Sequence, residues 1–326
     1  MSDPAPAAPV CLIVNPAAGG GKAGRLTPQA LAELRRHGLT VRHVETRDLE
    51  HARELALMAA RAGETVAVLS GDGAIGAIAD ALREVPGAVL GVLPGGRGND
   101  LARVLGIALE LPEACATIAH GVPRAIDLGE VLPAGESGPG QAFVGIASVG
   151  FDSDANRIAN EAPSWLGNLV YAYGALRALL SWRPARFEIE LDPPGERHSF
   201  MAYTIGAANS KTYGGGMRAA PSAMLDDGQL EVVVLERVGK LTFLTRILPR
   251  VFSGTHVREP CVHVFRAREV AIDADRAFTM YADGDPVGEL PLRVRAVPSA
   301  ITVLVPAHDP PDCAFKTAPP IGAETR

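Results

Sequence analysis

The 326-residue sequence holds only four cysteines, Cys11, Cys115, Cys261 and Cys313, with no CxxC pair and no histidine at zinc-ligand spacing. That excludes a disulfide framework and a zinc module as organising devices and leaves the four as buried or surface thiols. Lysine is almost missing, with Lys22, Lys211, Lys240 and Lys316 set against a large excess of arginine, the bias of a GC-rich genome. Positive charge is not in surplus either: the net charge is −6. The chain lacks the basic footprint of a nucleic-acid binder, so nucleic acid is not an expected partner. No stretch approaches the ~20 uncharged apolar residues of a membrane span. Met1 to Pro9 is Ala/Pro-rich, without the basic start and apolar stretch of a secretory signal, and a cytoplasmic protein is expected.

What is present is a 47% hydrophobic share with 21% charged residues. At this length that suits a globular protein of about two domains of ~100–200 residues each. From Val10 to about Arg124, short apolar runs alternate with amphipathic stretches, the signature of βα units around a parallel sheet. Strands are expected at Val10–Val14, Leu39–Val44, Thr65–Leu69 and Ala88–Leu93, and helices at Leu26–His37, Leu49–Arg61, Ala74–Glu84 and Asp100–Leu105. After Asp127 the texture becomes strand-rich, with eight candidates at Ala142–Val149, Arg186–Leu191, Met201–Ala207, Leu230–Leu235, Cys261–Phe265, Val270–Asp273, Leu292–Val297 and Ala300–Val305. Helical inserts are expected at about Gly167–Trp182 and Leu241–Phe252. The fold class is therefore an N-terminal α/β domain (8–126) and a C-terminal β-rich sandwich domain (127–306) with a cleft between them, followed by a loose tail (307–326) that can return to the first domain.

Three glycine-rich segments each follow an expected strand: Asn15-Pro-Ala-Ala-Gly-Gly-Gly-Lys22, Ser70-Gly-Asp-Gly73 and Pro94-Gly-Gly-Arg-Gly-Asn-Asp100. Glycines at strand ends let backbone N–H groups approach an anion, and a following helix N-terminus adds a favourable dipole, so phosphate binding is the functional reading. For any single loop a tight strand-to-helix turn explains the glycines equally well; three at matching strand ends weigh against that.

These segments, with Val149-Gly-Phe-Asp152, Asn209 and Tyr213-Gly-Gly-Gly216, Ala220-Pro-Ser-Ala-Met-Leu-Asp-Asp-Gly228 and Asp283-Gly-Asp285, fall in one order across Val10 to Val305. In that order and spacing the chain resembles the diacylglycerol kinase catalytic family, a lipid-kinase group that includes bacterial diacylglycerol kinases and sphingosine kinases and shares a superfamily with NAD kinases. The resemblance implies ATP held by Asn15, Pro16, Gly19, Thr46, Gly71, Asp72, Gly73, Ala74, Gly96, Arg97, Gly98 and Asn99. Thr46 could equally be the N-cap of the helix that follows it. It implies Mg²⁺ on the loop ending in Asp-Asp-Gly, with Asp227 and the carbonyls of Met224 and Gln229 as ligands and Asp226 in support; hard oxygen donors are what magnesium demands, and the same residues would also make a β-turn. A carboxylate must orient or deprotonate the attacking hydroxyl, and the resemblance offers Asp285, Asp283 and Asp72 for this.

The family's usual Gly-Gly-Asp-Gly-Thr run with an Asn-Glu pair reads here Ser70-Gly-Asp-Gly-Ala74 with Gly76-Ala77, and the usual threonine of the third loop is Arg97. An arginine fork suits phosphate oxygens and can offset the missing hydroxyl at Ala74. Lys22 and Lys211 are further cations, as phosphate and cleft candidates respectively or as plain loop charges. The stretch Trp165 to Trp182 is apolar at helical spacing with Trp at both ends, which reads as a helix packed on the sandwich or, less favoured, as one resting in a membrane interface. The acidic balance implies that membrane contact would be transient and hydrophobic. The expected function is an ATP- and Mg²⁺-dependent lipid kinase, converting diacylglycerol to phosphatidic acid at the inner face of the membrane. A sphingoid-base or other lipid-alcohol kinase, more distantly an NAD kinase, and a catalytically weak nucleotide- or lipid-binding regulator are the alternatives. Oligomeric state is left open, a homodimer included.

Overall fold

The computed structural model describes residues 9–151, 182–308 and 313–315. Strands β1 (Val10–Val14), β2 (Val41–Glu45), β3 (Thr65–Ser70) and β4 (Val89–Pro94) form a parallel sheet in the order β2-β1-β3-β4. β1 is buried along its whole length, which is why it reads as a continuous apolar run rather than an alternating one. Helices α1 (Ala18–Arg36), α2 (Leu49–Arg61), α3 (Asp72–Leu82), α4 (Asp100–Val104) and α5 (Leu111–His120) connect and cover these strands, α1 packing on α5 and α2 on α3. Each chain segment leaving the carboxyl end of β1, β3 or β4 is one of the glycine loops.

The second half is built from β5 (Val122–Pro133), β6 (Gln141–Phe143), β7 (Ile146–Gly150), β8 (Ala185–Leu191), β9 (Glu196–Ala208), β10 (Leu230–Glu236), β11 (Val262–Ala267), β12 (Glu269–Ala274), β13 (Thr279–Ala282), β14 (Asp285–Glu289) and β15 (Leu292–Val305). Pairing is antiparallel throughout this region, with β9 long enough to pair β8 through its first half and both β7 and β10 through its second. β8 alternates buried and exposed residues, and its inward Phe187 and Ile189 join Val232, Ile272 and Val294 in one core.

β15 crosses both halves. Its first residues pair with β12, it runs antiparallel to β5 along nearly its whole length, and Thr302 and Val303 pair in parallel with Val89 and Leu90 of β4. The two strands expected at 292–297 and 300–305 are this single strand, broken only by a register shift between Val297 and Ile301. A left-handed Ser299 (φ 51°) sits in that break, so the local Pro-Ser turn signal is real but is absorbed as a bulge. β5, α5 and the β13–β14 hairpin add to the elements expected from sequence.

The insert expected at 241–252 is present as α6 (Lys240–Thr242), a π-helical turn (Phe243–Ile247) and α7 (Leu248–Ser253). The insert expected at 167–182 lies outside the described residues except for Trp182. Trp182 itself is buried against Phe151 and Phe278 and is part of the core. Residues 313–315 pack against both halves: Ala314 donates to the Val104 carbonyl at 2.8 Å and accepts from the Leu225 N–H at 2.7 Å, while Phe315 lies under the Arg124 guanidinium.

Candidate active site

The three glycine loops meet. Gly19, Gly20 and Gly21 are all left-handed (φ 61°, 67° and 81°), which breaks the start of α1 into an open loop before the regular helix begins. The side chain of Asn15 accepts from the Ala17 N–H at 3.1 Å and turns the chain into this loop, with Pro16 between. The Thr46 N–H donates to the Val14 carbonyl at 2.8 Å, which places Thr46 beside Asn15. The cap of α2 is Asp48, whose carboxylate accepts from the His51 N–H at 2.8 Å, so the N-cap reading of Thr46 is replaced by Asp48. Gly71 caps α3, and Asp72, Gly73 and Ala74 form its first turn. A methyl group on Gly96 would lie 2.5 Å from the Gly71 Cα, so the second and third loops pack backbone on backbone and only glycine fits.

Asn99 is buried and left-handed (φ 52°), accepting from the Gly96 N–H at 2.8 Å and donating to the Gly96 carbonyl at 3.2 Å. Its amide is thereby spent on shaping the loop. Arg97, at the loop tip, is exposed, and its side chain makes no hydrogen bond or ion pair with the described residues. Lys211 instead donates to the Cys313 carbonyl at 2.7 Å, so it holds the tail rather than standing free in the cleft.

A cavity of about 100 Å³ opens between the halves, lined by Asp72 and Asp100 from the first and by Gly145, Thr212, Tyr281 and Asp283 among others from the second. The Asp72 carboxylate accepts from the Leu101 N–H at 3.0 Å. Asp283 follows β13 in a left-handed conformation (φ 49°) and turns its carboxylate onto the segment leading into β7. There it accepts from the N–H groups of Val144 (2.8 Å), Gly145 (2.9 Å) and Ile146 (3.2 Å). Burial pushes its carboxyl up to about 6; the three N–H donors oppose this, and the nearby Asp72 charge adds to it. Gly76 backs directly onto this group: a methyl there would lie 3.3 Å from Asp283 Oδ2. Asp285, at the start of β14, is exposed by surface area although partial burial raises its carboxyl above the ordinary range, and it does not line the cavity, so of the three carboxylates put forward for the base Asp283 and Asp72 face it together.

Asp100 is a site residue that the sequence reading passed over, although it closes the third motif. Its Oδ2 accepts from the Gly215 N–H at 2.7 Å, bridging α4 to the Tyr213–Gly216 loop across the cleft, while Oδ1 has no partner among the described residues. Burial raises its carboxyl above the ordinary range, against the Gly215 N–H and with help from the Asp72 charge.

The Asp226–Gly228 loop lies outside the cavity lining. Asp226 is paired with Arg124 at 3.0 Å, and Asp227 Oδ1 accepts from the Gln229 N–H at 3.0 Å. A second overlooked residue, Asp127, accepts from the N–H groups of Gly228 (2.6 Å) and Ser299 (2.7 Å) and so ties this loop to the bulge of β15. Burial raises the Asp127 carboxyl, and the charges of Asp227 and Asp226 raise it further. Mutually repelling carboxylates with oxygen-only donors around them suit a hard divalent cation in chemistry. Among the described residues, however, no cluster of three or more His, Cys, Asp or Glu side chains is arranged to hold a metal, so backbone carbonyls such as those of Met224 and Gln229 must complete any such site.

A two-domain α/β and β-sandwich protein with phosphate-type loops facing carboxylates across a cleft is the architecture of a nucleotide-dependent kinase. Residues 9–131 match the diacylglycerol kinase catalytic domain, and residues 145–305 match the YegS C-terminal NAD kinase beta sandwich-like domain. The chain is 34% identical over 304 residues to a diacylglycerol kinase of Mycobacterium tuberculosis (strain CDC 1551 / Oshkosh), covering 92% of this chain and 96% of that one. It is 29% identical over 286 residues to a diacylglycerol kinase of Bacillus subtilis (strain 168), covering 86% and 90%. The fold matches the crystal structure of a diacylglycerol kinase from Bacillus anthracis str. Sterne with a TM-score of 0.70 at 20% identity, over 91% of this chain and 96% of that one. The chain belongs to the diacylglycerol kinase family and is a lipid kinase of that family.

Proposed function

We propose that this kinase uses ATP and Mg²⁺ to phosphorylate the free hydroxyl of diacylglycerol, giving phosphatidic acid. The observation that carries the reading is that Asp72 and Asp100, which sit on two of the packed glycine loops, line one cavity between the halves together with Asp283. The names of the 34%-identical relatives support the choice of lipid.

The bare backbone of the Gly19–Gly21, Gly71–Gly73 and Gly96–Gly98 segments cradles the phosphates, with the N-terminus of α3 contributing its dipole. Arg97 and Lys22, neither bonded to another described side chain, supply the positive charge that a polyphosphate needs in a cleft lined with carboxylates. Asp283 serves as the base: with a carboxyl at about 6 it is ionised at neutral pH and still basic enough to take a proton. The lipid hydroxyl gives its proton to the Asp283 carboxylate as its oxygen bonds to the γ-phosphorus, and the bond to the β–γ bridging oxygen breaks to release ADP. Asp72, fixed by the Leu101 N–H, holds the acceptor and phosphate side in register. Asp227, with the Met224 and Gln229 carbonyls, is the proposed Mg²⁺ holder; the ion, when bound, supplies charge neutralisation beside the cleft.

The test is transfer of labelled γ-phosphate from ATP, with and without Mg²⁺, to dispersed diacylglycerol, monoacylglycerol, ceramide, sphingosine and NAD. Labelled phosphatidic acid that disappears on Asp283→Asn supports the reading. Product on sphingosine alone would transfer it to a sphingoid-base kinase, and ATP binding without product on any acceptor would make the chain a regulator.

A further inference from the structure

The chain is acidic as a whole, yet the segment 237–258 contains Arg237, Lys240, Arg246, Arg250 and Arg258 and not one Asp or Glu. This is the helical insert of the second half and the short 3₁₀ turn after it (Thr255–Arg258). Phe243 and Ile247 are buried and anchor the insert on the aromatic cluster of Phe151 and Tyr203. The opposite stripe, Leu241, Thr245, Pro249 and Phe252, faces solvent at helical spacing and carries no charge. Leu241 is 74% exposed and Phe252 56%, the two most exposed large apolar side chains of the described chain apart from Met58. Arg246 and Arg250 flank the stripe and share Glu259, which neutralises only part of their charge.

An uncharged apolar stripe bordered by cations is the pattern of a helix lying in the headgroup boundary of an anionic bilayer. The position of the insert gives the pattern a use. The Val251 carbonyl accepts from the Arg218 N–H at 2.9 Å, and Met217 exchanges hydrogen bonds with Tyr213, which lines the cavity. The insert is therefore joined through four hydrogen-bonded residues to the wall of the site. We propose that the 240–253 insert is the membrane-docking surface, with Leu241 and Phe252 entering the boundary of an anionic lipid bilayer and the flanking arginines and Lys240 meeting its headgroups. The proposal rests on the lipid-kinase reading for its purpose, but its test does not.

The full chain is floated with vesicles of phosphatidylcholine alone and of phosphatidylcholine mixed with phosphatidylglycerol, beside Leu241→Ser, Phe252→Ser, the double variant and Phe252→Trp. Wild type is expected on the anionic vesicles, released by salt, with each serine variant about tenfold weaker and Phe252→Trp restored. Phosphoryl transfer to a short-chain, water-soluble diacylglycerol is measured in parallel and is expected to be unchanged in all variants, because neither side chain lines the cavity. Serine variants that bind vesicles as wild type does would overturn the docking surface, as would a double variant that dissociates a wild-type dimer in sedimentation, since the stripe would then face a second copy. Vesicle binding lost in the variants with no transfer to any lipid would uphold the surface and sink the diacylglycerol reading alone.

Discussion

The two halves of the molecule build their shares of the cleft by opposite means. The first half uses consecutive residues at the ends of adjacent parallel strands: glycine-rich loops packed on one another, with the carboxylates of Asp72 and Asp100 projecting from two of them. The second half uses side chains whose partners are far along the chain. Asp283 reaches the N–H groups of Val144 to Ile146, and Asp127 reaches Gly228 and Ser299. The groups of the first half come from residues that are neighbours in the chain, and the carboxylates of the sandwich half are held by backbone far from them in sequence. One is set by local sequence, the other by sheet topology.

The largest effect that would sharpen this contrast is on the carboxylates. Asp283→Asn is expected to lower turnover by about 10²–10⁴-fold, the range of a lost general base, whereas Asp285→Asn, exposed and outside the cavity, should leave it nearly unchanged. A reversed ranking of the two in steady-state kinetics would move the base to β14. Second is the junction of the halves. Glu130 is buried between Arg83 and Arg295, and although burial alone would raise its carboxyl, the Arg83 hydrogen bond, the Gly140 N–H and Arg295 hold it below the usual range. Glu130→Gln leaves these cations facing a neutral group and should cost about 3–5 kcal/mol in denaturant unfolding. Because the folded value is depressed, the wild-type advantage is present above the ordinary glutamate range and fades as pH falls through the folded value.

Next comes Gly96→Ala, whose methyl has no room above Gly71. A loss of about 1–3 kcal/mol with a raised KM for ATP is expected, and an unchanged KM would show that this loop does not carry the phosphates. Asp283 offers a subtler probe through pH. Burial raises its carboxyl from the ordinary aspartate range to about 6, so the ionised group costs stability above pH 6 and the cost vanishes below the unfolded value. The Tm of Asp283→Asn relative to wild type should accordingly fall as pH is lowered from 7 towards 4; a pH-independent difference would mean that the N–H donors offset burial, and a rise would mean that they outweigh it. The smallest effect is the cycle of Arg97→Thr and Ala74→Thr. If Arg97 substitutes for the hydroxyl absent at Ala74, the double variant should bind ATP more tightly than the sum of the singles, and strict additivity would break the idea.

Much of the first half was legible because its signals are local. α2 falls at Leu49–Arg61 as its periodicity implies, and the ends of β1, β3 and β4 coincide with the glycine loops. The Thr46 reading was settled only by Asp48, two residues on, whose side chain competes for the same role and is the one aligned with the His51 N–H. In the second half the strands were legible and their partners were not. Asp283-Gly-Asp285 looks from sequence like a turn between two candidates for one role. Only the packing of β13 beside β7 turns the first into the cavity and leaves the second outside it. Asp100 was overlooked for a related reason: the amide of Asn99 draws attention, yet it is consumed within its own loop while the neighbouring carboxylate crosses the cleft.

The sequence by itself determined the two-part architecture, the phosphate-type loops and the family, because hydrophobic period, glycine placement and motif order are properties of neighbouring residues. The tertiary structure decided which carboxylates share the cavity, that one long strand runs through both halves, and that Lys211 holds the tail. It also decided which face of the 240–253 insert is left to solvent. Those outcomes depend on strand order and on backbone groups more than a hundred residues apart, as with Asp283 and Gly145, and no local pattern encodes such a pairing.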